Sequence, residues 1–204
     1  MGRNEAEILV DLDVPRERVA PTTKFRSTWI VSSQNAIRDC GFFERYTKLI
    51  PEMHRETLMA PVVGVWFPSD VVYAHYTACD RLGLSAVERE AIAYALMRPA
   101  HRKLLSITSN VAKHVGLTPW MALAQSGRIW ERTCIGGGIV VYREGPKEAR
   151  VELLGLTLAS IPYFRLALRD LLITSGKLLA TAFYVKESFH PAHPLDLTYR
   201  ASWV

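Results

Sequence analysis

The hydrophobic period of this chain changes at Gly136, and no other feature of the sequence constrains its fold as strongly. Before that point apolar residues recur at helical spacing. Val72, Tyr76 and Cys79 fall at i, i+4 and i+7, and Leu104, Ile107 and Val111 at i, i+3 and i+7. Beyond it the spacing is that of strands. Leu195, Leu197, Tyr199, Ala201 and Trp203 alternate with Asp196, Thr198, Arg200 and Ser202, which makes one face apolar and the other polar. A sheet with one buried and one wet face is antiparallel and lies on helices.

Start and stop signals divide the first half into helices. Ser32 or Ser33 caps a helix running to Cys40, with Gly41 as its stop, and 42–49 is a further short helix ending before Pro51. Ser69 or Asp70 opens another behind Pro68, and Gly83 closes it. Ser85 and Glu88 form a capping box, Pro99 breaks or kinks the helix that follows, and Gly116 closes the stretch from His101. Thr118-Pro119 opens a helix carrying Trp120, Leu123, Ala124, Gly127 and Trp130. In the second half, 137–143 and 149–154 are β-rich runs around the turn residues Glu144-Gly145-Pro146-Lys147. A helix over 161–175 is stopped by Gly176, and 177–188 and 195–203 complete two hairpins with one helix between them. The predicted fold is α+β: a helical N-terminal half packed on a four-stranded antiparallel sheet, in the order strand–strand–helix–strand–strand. A short strand over 7–13 and a proline-bearing, charged stretch over 14–24 make residues 1–24 an arm or linker to a single domain at 25–204.

Composition narrows the function classes. A chain of 204 residues fills one core and is short for two. Its 49% apolar residues place excess apolar surface in a large core, a dimer interface or a pocket for an apolar ligand. The net charge of +5 is scattered, where nucleic-acid domains gather theirs on one stripe, so no nucleic-acid partner is expected. Cys40, Cys79 and Cys134 lie far apart, as in a reducing cytoplasm. The acidic residues near the start do not fit a signal peptide. The apolar run 60–67 is cut by Pro61 and Gly64, so no integral membrane protein is expected.

No catalytic constellation emerges. Cys134-Ile135-Gly136-Gly137-Gly138 has the glycines of a phosphate loop, but a helix precedes them and a strand follows, the reverse of what anion binding needs. Those glycines read as a hinge or tight connection. His190 and His193 are two imidazoles without a third ligand, so no metal site is expected. There is no Gly-x-Ser-x-Gly elbow, and the chain is expected not to be an enzyme. His114, in the last turn of its helix, and His75, beside the Val72/Tyr76/Cys79 face, have the placement of helix-borne haem ligands; His114 equally suits a helix C-terminus. Trp66, Phe67, Tyr73 and Tyr76 gather around one helix start and Trp120 and Trp130 lie on another, as pocket or core. The ligand-pocket candidates are Trp66, Tyr73, Tyr76, His114 and Trp120.

Three segments carry a family resemblance: Trp66-Phe67-Pro68 leading into the helix that ends at Leu82-Gly83, the strand pair over 138–154, and the closing Tyr199-Arg200-Ala201-Ser202-Trp203. Through them the chain resembles a myxobacterial paralogous family of uncharacterised proteins, a domain of unknown function. That family in turn looks like the fold shared by the 4-vinyl reductase domain, TRAPP subunits and haem–nitric-oxide sensors. The resemblance implies a small molecule or lipid in an apolar cavity, or a dimeric interaction module. The haem sensors hold propionates with a Tyr-x-Ser-x-Arg signature, which no segment of this sequence matches. The expected function is therefore a non-enzymatic sensory domain that binds an apolar small molecule or lipid between helices and sheet, without a cofactor. A homodimeric interaction or scaffold module is the alternative, and a haem-based gas sensor the second.

Overall fold

A computed structural model describes residues 6–108, 117–190 and 193–204, with the side chains of 100–108 outside the description. The helical half contains α1 (Thr28–Asp39), α2 (Phe43–Leu49), α3 (Glu52–Met59), α4 (Ser69–Asp80), α5 (Ala86–Thr108), α6 (Pro119–Ala124) and α7 (Ser126–Thr133). Strands β1 (Glu7–Val10), β2 (Lys24–Arg26), β3 (Trp66–Pro68) and β4 (Cys134–Ile135) are interspersed with them. Then come β5 (Gly138–Gly145), β6 (Glu148–Leu154), α8 (Pro162–Gly176), β7 (Phe183–Phe189) and β8 (Leu197–Trp203).

The capping chemistry is as the sequence requires. The Ser85 N–H and hydroxyl each donate to the Glu88 carboxylate at 2.7 Å, and the Glu88 N–H donates back to the Ser85 hydroxyl at 3.3 Å. The Thr118 hydroxyl accepts from the Met121 N–H at 3.3 Å, ahead of Pro119. Other boundaries differ from expectation. Helix α1 begins a turn earlier, at Thr28, and Ser33 lies buried inside it. Helix α5 runs on through Pro99. Trp120 and Trp130 sit on two helices, because the chain turns at Gln125. The strand expected over 177–188 starts only at Phe183: after α8 the N–H groups of Leu179 and Ala180 turn back onto the Gly176 carbonyl at 2.9 and 3.0 Å.

The main sheet is antiparallel and α+β in its setting, in the order β1-β5-β6-β8-β7. It has five strands where four were expected, the fifth being β1 from the segment read as an arm. Leu197, Tyr199, Ala201 and Trp203 are buried, as the alternation demands. The opposite face is a charge ladder, in which Arg150 reaches Glu144 at 2.7 Å and also pairs with Glu152. A second sheet, β3-β2-β4, joins three segments remote in sequence, with Phe25 between Phe67 and Cys134.

Stretch 14–24, expected as a linker, is seated on the glycine run. The Gly137 N–H donates to the Ala20 carbonyl at 2.7 Å. Gly137 has φ +64°, and a Cβ there would stand 2.6 Å from the Thr22 methyl, 2.7 Å from the Trp130 ring and 2.9 Å from the Leu154 carbonyl. The run is a tight connection.

Helix α8 lies between the sheet and the helices and is tied to both. The Asp80 carboxylate, at the end of α4, accepts the Tyr163 N–H in the first turn of α8 at 2.8 Å, where the helix has no side-chain cap of its own. The buried Tyr199 hydroxyl of β8 donates to the Arg165 carbonyl at 2.7 Å, and Arg165 pairs with Glu187 of β7 at 2.8 Å.

Gly137→Ala is expected to destabilise the fold by about 3 kcal/mol in urea titrations, from left-handed strain plus a three-sided clash. Gly41→Ala, at φ +81° with nothing within 4 Å, costs only about 1 kcal/mol on the same measurement.

Candidate functional site: an apolar chamber beside helix α8

Helices α5 and α8 pack on one another, and an apolar stripe of each lines the same cavity. On α5, Arg89, Ile92, Ala93 and Leu96 fall at i, i+3, i+4 and i+7; on α8, Phe164, Ala167, Leu168 and Leu171 do the same. Helices α1, α4 and α7 close the other sides with Trp29, Tyr76 and Ile129, leaving a chamber of about 390 Å³. Its aromatic wall is ordered by ring packing. Trp29 stacks on Phe164 with centroids 6.0 Å apart and planes 9° apart, and Tyr76 meets Phe164 edge-on at 4.9 Å. Thr28, Ser32 and Ile129 are exposed at the mouth.

Among the described lining residues the wall is apolar apart from a few hydroxyls and one guanidinium. The Arg89 side chain is 12% exposed; it donates through Nη1 to the Leu84 carbonyl at 2.9 Å and lies 3.4 Å through Nε from Asp170 Oδ2. Arg169 takes the other oxygen of Asp170, donating at 3.2 and 2.9 Å. Neither Arg89 Nε nor Asp170 Oδ2 makes a hydrogen bond.

Behind Tyr76 runs a buried polar chain. Gln34 Nε2 donates to the Leu58 carbonyl at 2.7 Å and to the Tyr46 hydroxyl at 3.1 Å. With its lone pair so used, the Tyr46 O–H donates to His75 Nδ1 at 2.6 Å, which leaves the proton of His75 on Nε2, 3.7 Å from Cys79 Sγ. Burial lowers the His75 pKa to about 3 and pushes the Tyr46 phenol and the Cys79 thiol upward. His75 is neutral, wholly buried and engaged at both nitrogens.

Of the residues singled out from the sequence, the structure brings Tyr76 to the chamber. Tyr73 lines a different, open depression shared with Met53 and His54 of α3. Trp66 is on β3 beneath the Arg26 guanidinium, 4.1 Å from its ring centroid. Trp120 packs on Trp203 at 4.7 Å and donates its N–H to the Pro146 carbonyl at 3.0 Å. His114 lies outside the described residues. Trp29, Arg89, Ile92 and Phe164 were not anticipated, although a charged residue opening an apolar i, i+3, i+4, i+7 stripe on α5 is a legible signal. The His190 and His193 rings are 5.8 Å apart, and no group of three or more potential metal ligands occurs among the described residues.

The pH dependence of stability follows from His75. Between the ordinary imidazole pKa of about 6.5 and the folded value of about 3, the unfolded chain binds a proton that the folded chain does not. Stability therefore falls as pH falls through that window, by about 1.4 kcal/mol per pH unit from this group. Urea titrations from pH 6.5 down to 4 should show the slope, and His75→Gln should remove that part of it; an unchanged slope in the variant contradicts the assignment.

No family model matches the chain, and no curated protein matches it. Its architecture does have solved counterparts. One is an Fe(II) unliganded H-NOX protein from K. algicida, with a TM-score of 0.60 and 8% identity over 88% of this chain and 96% of that one. Another is an oxygen-binding H-NOX domain related to soluble guanylate cyclases, with a TM-score of 0.59 and 9% identity over 87% and 94%. A third comes from work on haem distortion in the H-NOX family, with a TM-score of 0.53 and 10% identity over 87% and 94%. These likenesses select the haem-sensor member of the fold group named above; they lend nothing to the vinyl-reductase, TRAPP or myxobacterial resemblances. They also correct the expectation of a chain without a cofactor, since the proteins sharing its fold are described with haem and Fe(II). No helix among the described residues is long and apolar enough to cross a membrane. The chain has the α+β fold of the H-NOX domains.

Proposed function

We propose that this chain is a non-enzymatic ligand-binding sensory domain, and that the chamber between α1, α4, α5, α7 and α8 is its ligand site. The observation that carries the reading is the pair of apolar stripes. The apolar stripes of the packed pair α5 and α8 run on into a cavity of about 390 Å³, inside the range of small-molecule sites. Convergent polar groups are few, as such sites require, and the solved domains of this fold include one described as oxygen-binding.

Haem gas sensing is the second reading, favoured by those same neighbours. The described walls do not fit haem iron. Among the described residues no imidazole or thiol lines the chamber, and His75, one residue from Tyr76, is sealed by Tyr46 and Cys79. Burial holds the phenols of Tyr76 and Tyr163 far above the phenolate range. Tyr199 spends its hydroxyl on the Arg165 carbonyl. An iron ligand would have to come from beyond the described residues, where His114 lies.

Native mass spectrometry on protein expressed with iron and haem supply tests both readings. A retained small molecule is expected, and Ala167→Phe, which fills the chamber from α8, should abolish retention while leaving the thermal midpoint within a few degrees. Retention unchanged in that variant overturns the chamber as the site. A Soret band in the purified protein selects haem; its absence under haem supply removes the second reading.

A further inference from the structure

We propose that Arg89 is an anchor for the carboxylate of an apolar acid bound in the chamber, a deepening that rests on the chamber being the ligand site. Arg89 is the only formally charged residue among the described lining residues. Its side chain is 12% exposed, and its Nε is buried without a hydrogen bond. A guanidinium in such a place needs a counter-charge. Asp170 supplies only part of one, because Arg169 donates twice to the same carboxylate, at 3.2 and 2.9 Å. Two guanidiniums on one carboxylate leave a net positive charge at that end of the chamber. No carboxylate is among the described lining residues to balance it.

From Arg89 the apolar stripe of α5 runs through Ile92 and Ala93 to Leu96, about 10 Å along the helix at 1.5 Å per residue. Phe164 and Leu168 of α8 line the same cavity beside it. One charged end and an apolar length is the complement of a carboxylic acid with a hydrocarbon or flat aromatic body. The fork of a guanidinium suits a carboxylate, and burial makes the contact stronger than at the surface.

Calorimetric titration of the full chain with decanoate and with decanol at neutral pH tests the anchor, and protoporphyrin IX against its dimethyl ester repeats the comparison for a flat body. Decanoate, the porphyrin diacid or both should bind about tenfold or more tighter than the neutral partner. Arg89→Met should bring the acid down to the level of its neutral partner while leaving the neutral one unchanged, and Arg89→Lys should restore part of the preference. Equal affinities for acid and neutral ligand in the unaltered protein overturn the anchor and leave the chamber standing. Binding of none of the four ligands overturns the anchor outright, and native mass spectrometry then decides the chamber separately. Because the acid–neutral comparison needs no variant, misfolding of Arg89→Met would not obscure the result.

Discussion

Helix α8 is held in its first turn by partners from opposite layers, and the rest of the architecture depends on that. Asp80 satisfies its first turn from the helical side, and Tyr199 reaches its Arg165 carbonyl from the sheet. Each bond is partly buried, where a lost partner leaves a polar group less well paired. One helix thus serves as the lid of the sheet and the wall of the helical half. Its sheet side contacts β7 and β8 through Arg165 and its partners, and its other side presents Phe164, Ala167, Leu168 and Leu171 to the chamber.

The chamber follows from that geometry. Helices α5 and α8 pack on one another, and beside their seam Trp29 stacks on Phe164 between α1 and α8 while Tyr76 meets Phe164 edge-on. Large aromatic walls keep a space open where smaller side chains would collapse. The polar chain from Gln34 through Tyr46 to His75 and Cys79 stiffens the layer behind Tyr76, fixing each ring by a hydrogen bond as well as by packing. It also accounts for His75, which from the sequence had the placement of an iron ligand. That histidine is a core residue with a neutral ring.

The site was only partly legible in the sequence. Tyr76 could be placed on an apolar helix face by spacing alone, and it does line the chamber. Trp66, Tyr73 and Trp120 drew notice as aromatics near helix starts, but proximity along the chain does not decide which flank of a helix a side chain occupies. Tyr73 and Tyr76, three positions apart on α4, line different depressions, one shared with Met53 and His54 of α3 and the other with Phe164 of α8. Arg89 was passed over because charged residues on helices are ordinarily solvated. Only the packing of α8 over it takes it out of water.

Local chemistry by itself determined the capping box at Ser85, the start at Thr118-Pro119, the alternation of the last strand and the change from helices to sheet at Gly136. Each of these is decided by residues within a few positions of one another. Tertiary structure decided the fifth strand, the small sheet that joins Phe25 to Phe67 and Cys134, the seating of 14–24 on the glycine run, and the chamber itself. Those features are made by residues tens of positions apart. Periodicity says which side of an element avoids water, and only the packed fold says what that side meets, or that it meets nothing.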